Sequence, residues 1–516
     1  MSSSSLYAAR VPIFPRRVSG FYRRLKWQLM ALTLGIYYLT PWIRWDRGPE
    51  MPNQAVLVDL AHRRFYFFWI EIWPHEFYFV AGLLVMAGLG LFLFTAALGR
   101  VWCGYACPQT VWTDLFLLVE RWVEGDRNAR LRLHEAPWGA RKARLRFTKW
   151  ALWLLIALGT GGAWVFYFTD APTLLRDLVT FSAPAVAWTT IGILTATTFI
   201  FGGFMREQIC IYACPWPRIQ GAMMDEETLT VAYRDWRGEP RGKGLRRRAR
   251  AEAAVASVRA AGPQIGGRSP VIPMQLRGVT ARLQPAERTA EPPLPGVAGD
   301  CIDCNACVNV CPMGIDIRDG QQLACITCAL CIDACDEVMG KIGQPRGLID
   351  YVALSDAPAE RAGAEPKAPW RHALRLRNII YTGLWVAFGV AMLVALLMRD
   401  DLDMTVAPIR NPTHVVLSDG AVRNTYDVRL RNMTSAPREI ELALDAPGLV
   451  LTIEGAEGRL VTVPTDAQGL HRVYVTAPQG SAAADAGATD ITIIARDPAT
   501  GDSAETQTTF NGKDLQ

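Results

Sequence analysis

Histidine is scarce in this chain of 516 residues: there are six, and none lies inside an apolar run long enough to cross a membrane. A haem held by axial histidines within a membrane bundle is therefore not expected. The chain also lacks a Gly-x-Gly-x-x-Gly motif after a predicted strand, which argues against a nicotinamide or flavin domain. These absences argue against haem, nicotinamide and flavin as the redox cofactors of this chain.

Cysteine is absent from the whole region after Cys335, so we expect no disulfide in the C-terminal part of the chain. The N-terminus is rich in serine and then basic, with no cleavage site before the first apolar run, and it does not predict a secretory signal peptide. The formal net charge is only +5. The basic residues crowd beside apolar runs, which indicates membrane topology rather than a nucleic-acid partner.

Apolar residues, in contrast, are abundant. The hydrophobic share is 50% and there are 17 tryptophans, which predicts a multi-domain membrane protein in contact with lipid. A membrane-spanning helix needs about 20 apolar residues. Five runs approach this length: 27–43, 77–98, 150–168, 186–205 and 379–398. Any one of them also fits a buried core helix, but the second, fourth and fifth carry no charge.

The basic flanks predict the orientation of these five spans. Lysine and arginine concentrate in four segments: 1–26, 100–149, 237–250 and 371–377. If the five helices alternate in direction, all four segments lie on one side, which the positive-inside rule identifies as the cytoplasm of a bacterial inner membrane. Residues after Met398 are then periplasmic. The aromatic segment 65–73, in an outer loop, is expected to form an interfacial helix.

Two four-cysteine motifs follow one another between Cys301 and Cys335. Each has the spacing Cys-x-x-Cys-x-x-Cys-x-x-x-Cys, which is typical of bacterial dicluster ferredoxins, in which the fourth cysteine of each run serves the other cluster. This rule gives two crossed ligand sets, one for each [4Fe-4S] cluster: Cys301, Cys304, Cys307 and Cys335, and Cys325, Cys328, Cys331 and Cys311. Thiolates also suit zinc, so a pair of zinc knuckles is the alternative. A disulfide framework does not fit a cytoplasmic segment.

The other four cysteines lie in two nearly identical phrases. One is Cys103-Gly-Tyr-Ala-Cys107-Pro and the other is Cys210-Ile-Tyr-Ala-Cys214-Pro, each after a pair of apolar runs. Cysteines four apart lie on one face of a helix, and the proline that follows breaks or bends it. An internal duplication would bring the four sulfurs together near the inner membrane surface. Packing of buried cysteines is the alternative.

The remaining segments complete the predicted domain organisation. Alternating residues after position 403, such as Tyr426, Val428 and Leu430, together with turns every 8–12 residues or so, predict an immunoglobulin-like β-sandwich. The predicted domains are a basic arm (1–26), a four-helix membrane region (27–236), a basic Pro/Ala-rich linker (237–298), a dicluster ferredoxin domain (299–354), a second linker (355–377), a fifth transmembrane helix (378–399) and the β-sandwich (403–516).

This order of features resembles the cytochrome c oxidase accessory proteins of the CcoG/FixG type. The segments that carry the resemblance are 100–114, 237–242, 299–320 and 346–351. The resemblance implies a role in maturing a C-type haem–copper oxidase and an activity that reduces Cu(II) to Cu(I). It makes Cys103, Cys107, Cys210 and Cys214 the candidate catalytic residues, either as copper ligands or as a redox-active disulfide. The expected partners are oxidase subunits, copper chaperones or a copper transporter, and a cytoplasmic electron donor.

Two other functions stay open at this point. One is a quinol-linked polyferredoxin relay that serves a periplasmic respiratory enzyme. The other is an assembly scaffold, in which the β-sandwich binds the oxidase and the clusters only sense redox state.

Overall fold

The computed structural model describes residues 12–48, 51–242, 299–399, 402–434, 436–456, 458–465 and 467–513. Most of the linker predicted at 237–298, from residue 243 onward, lies outside these residues. The described helices are α1 Phe21–Leu39, α2 Tyr78–Leu98, α3 Val101–Tyr105, α4 Pro108–Glu124, α5 Arg127–Glu135, α6 Ala140–Val165, α7 Ala171–Val179, α8 Ala185–Thr198, α9 Arg206–Gln208, α10 Trp216–Met223, α11 Asp235–Gly238, α12 Ala306–Val310, α13 Leu330–Lys341, α14 Ala357–Arg361, α15 Pro369–Ala373, α16 Leu376–Leu397 and α17 Ala482–Asp485.

Three of these helical segments are long and apolar enough to cross a membrane. They are α2, the segment Ala185–Phe204, which consists of α8 and the π-helical turn after it, and α16. They correspond to the three predicted runs without charge. The other two runs lie in α1 and α6, which are helices with basic residues in their first turns. The total of five spans therefore stays a prediction.

Along the chain, a small antiparallel sheet follows α1 and precedes α2. Its strands are β1 Val56–Asp59, β2 Arg64–Phe67 and β3 Ile70–Ile72. The interfacial helix predicted at 65–73 is therefore wrong. Arg63 and Phe68 have positive φ, and these two tight turns reverse the chain too often for a helix to form. The aromatic and β-branched residues between the turns favour strands.

Two buried carboxylates of α4 form ion pairs with cations of the neighbouring helices. Asp114 contacts Arg23 and Lys26 of α1 at 3.1 Å each. Glu120 binds Arg130 of α5, and it contacts Lys149 of α6 at 3.5 Å and Arg206 of α9 at 2.5 Å. Because both carboxylates and all of these cations except the partly buried Arg206 are almost fully buried, they need their partners' charges. One helix thereby fixes the positions of four others.

Two segments predicted as linkers or boundaries contribute to the cluster domain. Strand β4 (Thr230–Tyr233) pairs antiparallel with β5 (Ile349–Val352), so residues before the predicted boundary at 236 join a sheet with residues after the cysteines. Residues 237–242 also pair with the start of the cluster segment, through hydrogen bonds such as Gly299 N–H to Pro240 O at 2.9 Å. Within 355–377 the chain forms α14 and α15.

The C-terminal region is a sandwich of two antiparallel sheets. The strands are β6 Leu402–Pro408, β7 Val415–Val416, β8 Val422–Asn432, β9 Arg438–Asp445, β10 Val450–Ile453, β11 Leu460–Val463, β12 Ala467–Ala477, β13 Thr489–Arg496 and β14 Ser503–Phe510. One sheet has the order β10-β12-β8-β6, with β7 on β8, and the other has the order β11-β9-β13-β14. Tyr426, Val428 and Leu430 alternate into a fully buried core, as the period of two predicts.

Replacing Glu120 by Gln is expected to destabilise the full-length protein by about 3–5 kcal/mol, because Arg206 loses its carboxylate partner and Arg130 and Lys149 keep only Glu124. The cations hold the pKa of Glu120 at about 2 against the opposing effect of burial, so the carboxylate is ionised at neutral pH. Since this pKa is depressed, its stabilisation is present above the ordinary value near 4.5 and is lost as the pH falls toward 2.

Thermal unfolding of purified Glu120→Gln in detergent measures this loss. The matched control is Glu337→Gln, which removes the exposed i,i+4 pair with Lys341 and should cost less than about 0.5 kcal/mol. Equal midpoints for the two variants would contradict the role given to α4.

Candidate iron–sulfur and membrane-surface cysteine sites

The two cysteine motifs fold into halves with the same local backbone. In the first half Asp303 and Asn305 have left-handed φ values of 53° and 56°. Thr327 and Ala329 occupy the equivalent positions of the second half, with φ values of 53° and 58°. Such values are uncommon for residues with a side chain, and their repetition bends each loop before its helix, α12 or α13.

Each half of this domain contains a cavity surrounded by four thiols. One cavity is lined by Cys301, Cys304, Cys307 and Cys335, and the other by Cys311, Cys325, Cys328 and Cys331, with Cys307 also at its wall. The structure therefore brings together the two crossed sets derived from the spacing. The rest of the second cavity is aliphatic, including Met313, Ile317 and Leu330. Burial raises the pKa of Cys311 to about 12 and that of Cys325 to about 11, so these thiols ionise only with a compensating cation.

The arrangement fits iron–sulfur clusters better than zinc. A single zinc ion holds its sulfurs about 3.8 Å apart, from Zn–S bonds of about 2.3 Å in a tetrahedron. Within the described residues, no three His, Cys, Asp or Glu side chains converge closely enough to hold one metal ion. A cubane spreads four thiolates over a wider cage, and soft thiolates are its usual ligands. When bound, each such cluster supplies one-electron transfer.

Polar contacts support the cysteine loops. The N–H of Thr327 donates to the Cys325 sulfur at 3.5 Å, the kind of hydrogen bond that raises the potential of a cluster. Arg318 donates to Asp303 at 2.7 Å and to Asn305 at 2.6 Å, the two left-handed residues of the first loop. Its own bond to Asp316 completes the clamp. The charged group of Arg318 thus holds the first loop in its bent form.

The four membrane-surface cysteines flank two helix breaks. Cys103 lies in α3, and Cys107 precedes Pro108 at the start of α4. Cys210 lies in a π-helical turn, Ile209–Ala213, and Cys214 follows that turn directly. Proline after each pair ends one helical segment and begins the next, as its missing N–H predicts.

The four sulfurs share one neighbourhood. Burial, together with the charges of Cys107, Cys210 and Cys214, raises the pKa of Cys103 to about 12. The Cys103 thiol donates to Gln220 Oε1 at 3.0 Å. Gln109, at the start of α4, donates from Nε2 to Phe201 O at 2.9 Å. This bond joins the first motif to the π-helical turn that follows α8, ahead of Cys210. The two motifs therefore lie beside each other, although in the described part of the chain no three of their sulfurs converge closely enough to hold one metal ion.

Motif one packs directly against the second cluster loop, and its glycine makes this possible. A Cβ on Gly104 would lie 2.7 Å from Ile326 O and 3.0 Å from Cys328 Cα. The neighbouring Tyr105 hydroxyl donates to Cys328 O at 3.3 Å. Motif two has Ile211 at the equivalent position, where the side chain packs into the apolar cluster that also contains Cys103 and Cys328. Both motifs therefore reach the cluster domain, motif one through close backbone contact at Gly104 and motif two through the side chain of Ile211.

Two further contacts attach the cluster domain to the membrane-surface helices. Asp333, on α13 between two ligand cysteines, accepts from the N–H of Tyr22 at 3.2 Å and from that of Arg23 at 2.7 Å. It therefore caps α1, whose own sequence supplies no capping side chain. Arg100 donates to the carbonyls of Leu323 and Cys325. The roles of Gly104, Arg100 and Asp333 were not predicted from the sequence, and the glycine that only one of the two motifs contains is the sole signal for any of them.

These features define the class: an iron–sulfur protein with dicluster ferredoxin loops, helices able to cross a membrane and a C-terminal β-sandwich. Family models match the same regions. A 4Fe-4S dicluster domain matches residues 205–264 and 279–354, and a 4Fe-4S binding domain matches 79–125. The model described as the IG-like fold at the C-terminus of FixG matches 392–513.

The chain belongs to the FixG family. It is 60% identical to protein RdxB and 58% identical to protein RdxA of Cereibacter sphaeroides, over 99% of this chain and 98% and 99% of theirs. It is 51% identical to the nitrogen fixation protein FixG of Rhizobium meliloti, over 98% of this chain and 94% of that protein. A crystal structure of a FixG-related protein from Vibrio parahaemolyticus matches 22% of the chain at 20% identity, with a TM-score of 0.20. The resemblance stated from the sequence is confirmed, as are the iron–sulfur and Ig-like domains.

The crossed ligand sets predict how iron is lost from cysteine variants. Cys301→Ser and Cys335→Ser should each remove about half of the iron, and the double variant should lose no more than either alone, because both residues serve one cluster. Cys301→Ser with Cys311→Ser should lose nearly all iron. Iron and acid-labile sulfide, measured with EPR on anaerobically purified protein, check this. Additive loss in the first pair would contradict the crossing.

Gly104→Ala is expected to disturb the second cluster without removing a ligand. The added methyl would overlap the backbone at Ile326 and Cys328, at a cost of about 1–3 kcal/mol. The EPR signal of that cluster and its iron content report the effect. Gly159→Ala is the matched control, because a Cβ there meets nothing within 4 Å. An unchanged signal in Gly104→Ala would show that the close approach does not matter.

Proposed function

We propose that this protein delivers electrons through its two clusters to the membrane surface and there reduces Cu(II) to Cu(I), for copper insertion during maturation of a C-type haem–copper oxidase. Membership of the FixG family and its 4Fe-4S domains support the electron-transfer part. One observation carries the rest: Cys103 and Cys210 belong to the same packed cluster as Cys328, so two of the membrane-surface cysteines adjoin the second iron–sulfur loop.

Thiolate chemistry supports copper as the acceptor. Soft sulfur ligands favour Cu(I) over Cu(II), so a Cu(II) ion that reaches these cysteines is stabilised as the product of one-electron reduction. The raised pKa of Cys103 means that copper must displace a thiol proton on binding. Gln220, which accepts from that thiol, holds the sulfur in position. Cu(II) takes one electron and leaves as Cu(I).

The basic flanks support a particular orientation for this reaction. We place the N-terminus and the cluster domain in the cytoplasm and the β-sandwich in the periplasm of the bacterial inner membrane. The sandwich is then on the side where oxidase subunits, copper chaperones or a copper transporter would bind. The electron donor enters from the side of the clusters.

The test uses anaerobically purified full-length protein, reduced with dithionite and freed of excess reductant. On addition of Cu(II), the wild-type protein should form Cu(I), measured with bicinchoninate, while the clusters reoxidise. Cys103→Ser with Cys214→Ser should slow this reaction at least tenfold and leave the iron content unchanged. A Cys304→Ser, Cys328→Ser variant, which lacks cluster ligands, should form no Cu(I).

Copper reduction at the wild-type rate in the Cys103→Ser, Cys214→Ser protein would overturn the site. Normal oxidase assembly in cells that express only the Cys304→Ser, Cys328→Ser variant would overturn the electron-transfer role and favour a scaffold.

A further inference from the structure

A cavity of about 510 Å³ lies where α1, the end of α2 and the cluster domain meet. This volume is within the usual range of small-molecule sites. One side is apolar and is formed by Leu25 and Leu29 of α1, Leu98 and Val101. Leu98 is the last residue of a helix that can cross a membrane, so the apolar side opens at the level of the membrane surface.

The opposite side of the cavity is polar and adjoins the second cluster loop. Tyr105 donates to Cys328 O at 3.3 Å, and Tyr351 donates to Thr327 O at 3.2 Å. Both tyrosines line the cavity. A molecule within it is therefore separated from the backbone of a cluster ligand by one aromatic ring.

A buried His–Asp pair stands at the same wall. His372 Nε2 lies 2.8 Å from Asp356 Oδ2, and both side chains are more than nine-tenths buried. His372 precedes α16, the last helix able to cross a membrane, and its carbonyl accepts from Asn378 at 3.0 Å. An imidazole fixed by a carboxylate is a common proton acceptor in enzyme sites.

The charges that line the cavity are already compensated. Arg234 pairs with Glu360 at 2.8 Å and with Asp350 at 3.3 Å, and Lys367 pairs with Asp356 at 2.5 Å. An anionic phosphate head would compete with these carboxylates, so the lining disfavours a phospholipid. A neutral molecule with an apolar tail and a hydrogen-bonding head fits both sides.

We propose that this cavity binds a membrane quinol, which serves as the electron donor to the clusters. This names a donor for the function proposed above, and rests on that function, in place of the cytoplasmic donor expected from the sequence. The apolar side receives the tail, the tyrosines contact the ring oxygens, and His372 with Asp356 receives the protons.

The reaction balances with the groups that the chain provides. Oxidation of one quinol to quinone breaks two O–H bonds and releases two electrons and two protons. The two clusters are one-electron acceptors, so together they take both electrons. The protons pass to the His372–Asp356 pair and from there to solvent. Two Cu(II) ions would then be reduced for each quinol.

Binding is tested with a short-chain ubiquinone on full-length protein in detergent, by equilibrium dialysis and by photolabelling with its azido derivative. Leu29→Trp fills the apolar side and should weaken binding at least tenfold, and the label should map to peptides that contain Tyr351 or His372. The matched control is Leu32→Trp on the same helix, where the side chain is 58% exposed, and binding should not change.

His372→Gln separates proton transfer from binding. It should bind quinone within threefold of wild type but slow quinol-driven cluster reduction at least tenfold, followed by loss of the oxidised cluster absorbance. Dithionite-driven Cu(II) reduction should stay normal in Leu29→Trp and His372→Gln, so a failure here is distinct from a failure of copper reduction. Unchanged quinone binding in Leu29→Trp, a label elsewhere, or displacement of quinone by phosphatidylglycerol would overturn the proposal.

Discussion

The close approach of two backbones at Gly104 is the constraint on which the working arrangement depends. Helix α3 can lie against residues 326–328 only because position 104 has no side chain, and this contact sets the membrane-surface cysteines beside the second cluster loop. The hydrogen bonds that Tyr105 and Arg100 donate to carbonyls of the cluster loop orient α3 against it.

Buried charge keeps that contact in register. Helix α4 begins directly after Cys107 of the same motif, so a rotation of α4 would move this cysteine. Asp114 and Glu120 fix α4 against α1, α5, α6 and α9 through pairs that cannot be exchanged for water. Asp333 in turn fixes α1 to α13 of the cluster domain. One end of the contact is therefore held by ion pairs and the other by hydrogen bonds from backbone N–H groups to a carboxylate.

Features that depend on neighbouring residues could be predicted from the sequence, whereas contacts between residues far apart in the chain could not. The cysteine spacing defined both cluster sets, because ligand geometry depends on loops of two or three residues, and alternation defined the strands around Tyr426. In contrast, β4 pairs with β5 across the whole cysteine segment, and Asp333 caps a helix that begins at residue 21. Such partners have no periodic signal in a single sequence. The segment at 65–73 misled us because aromatic residues suit both a membrane interface and a short sheet.

The first three residues of motif one have three separate tasks. Successive residues of a helix point about 100° apart, so Cys103, Gly104 and Tyr105 face three directions. Cys103 faces the other sulfurs and Gln220, Gly104 faces the cluster loop, and Tyr105 faces the cavity beneath α1. In the proposed function these are the exit, the junction and the entry of the electron path. A donor and an acceptor can then use the same cluster without meeting each other, because residues two apart lie on nearly opposite sides of a helix.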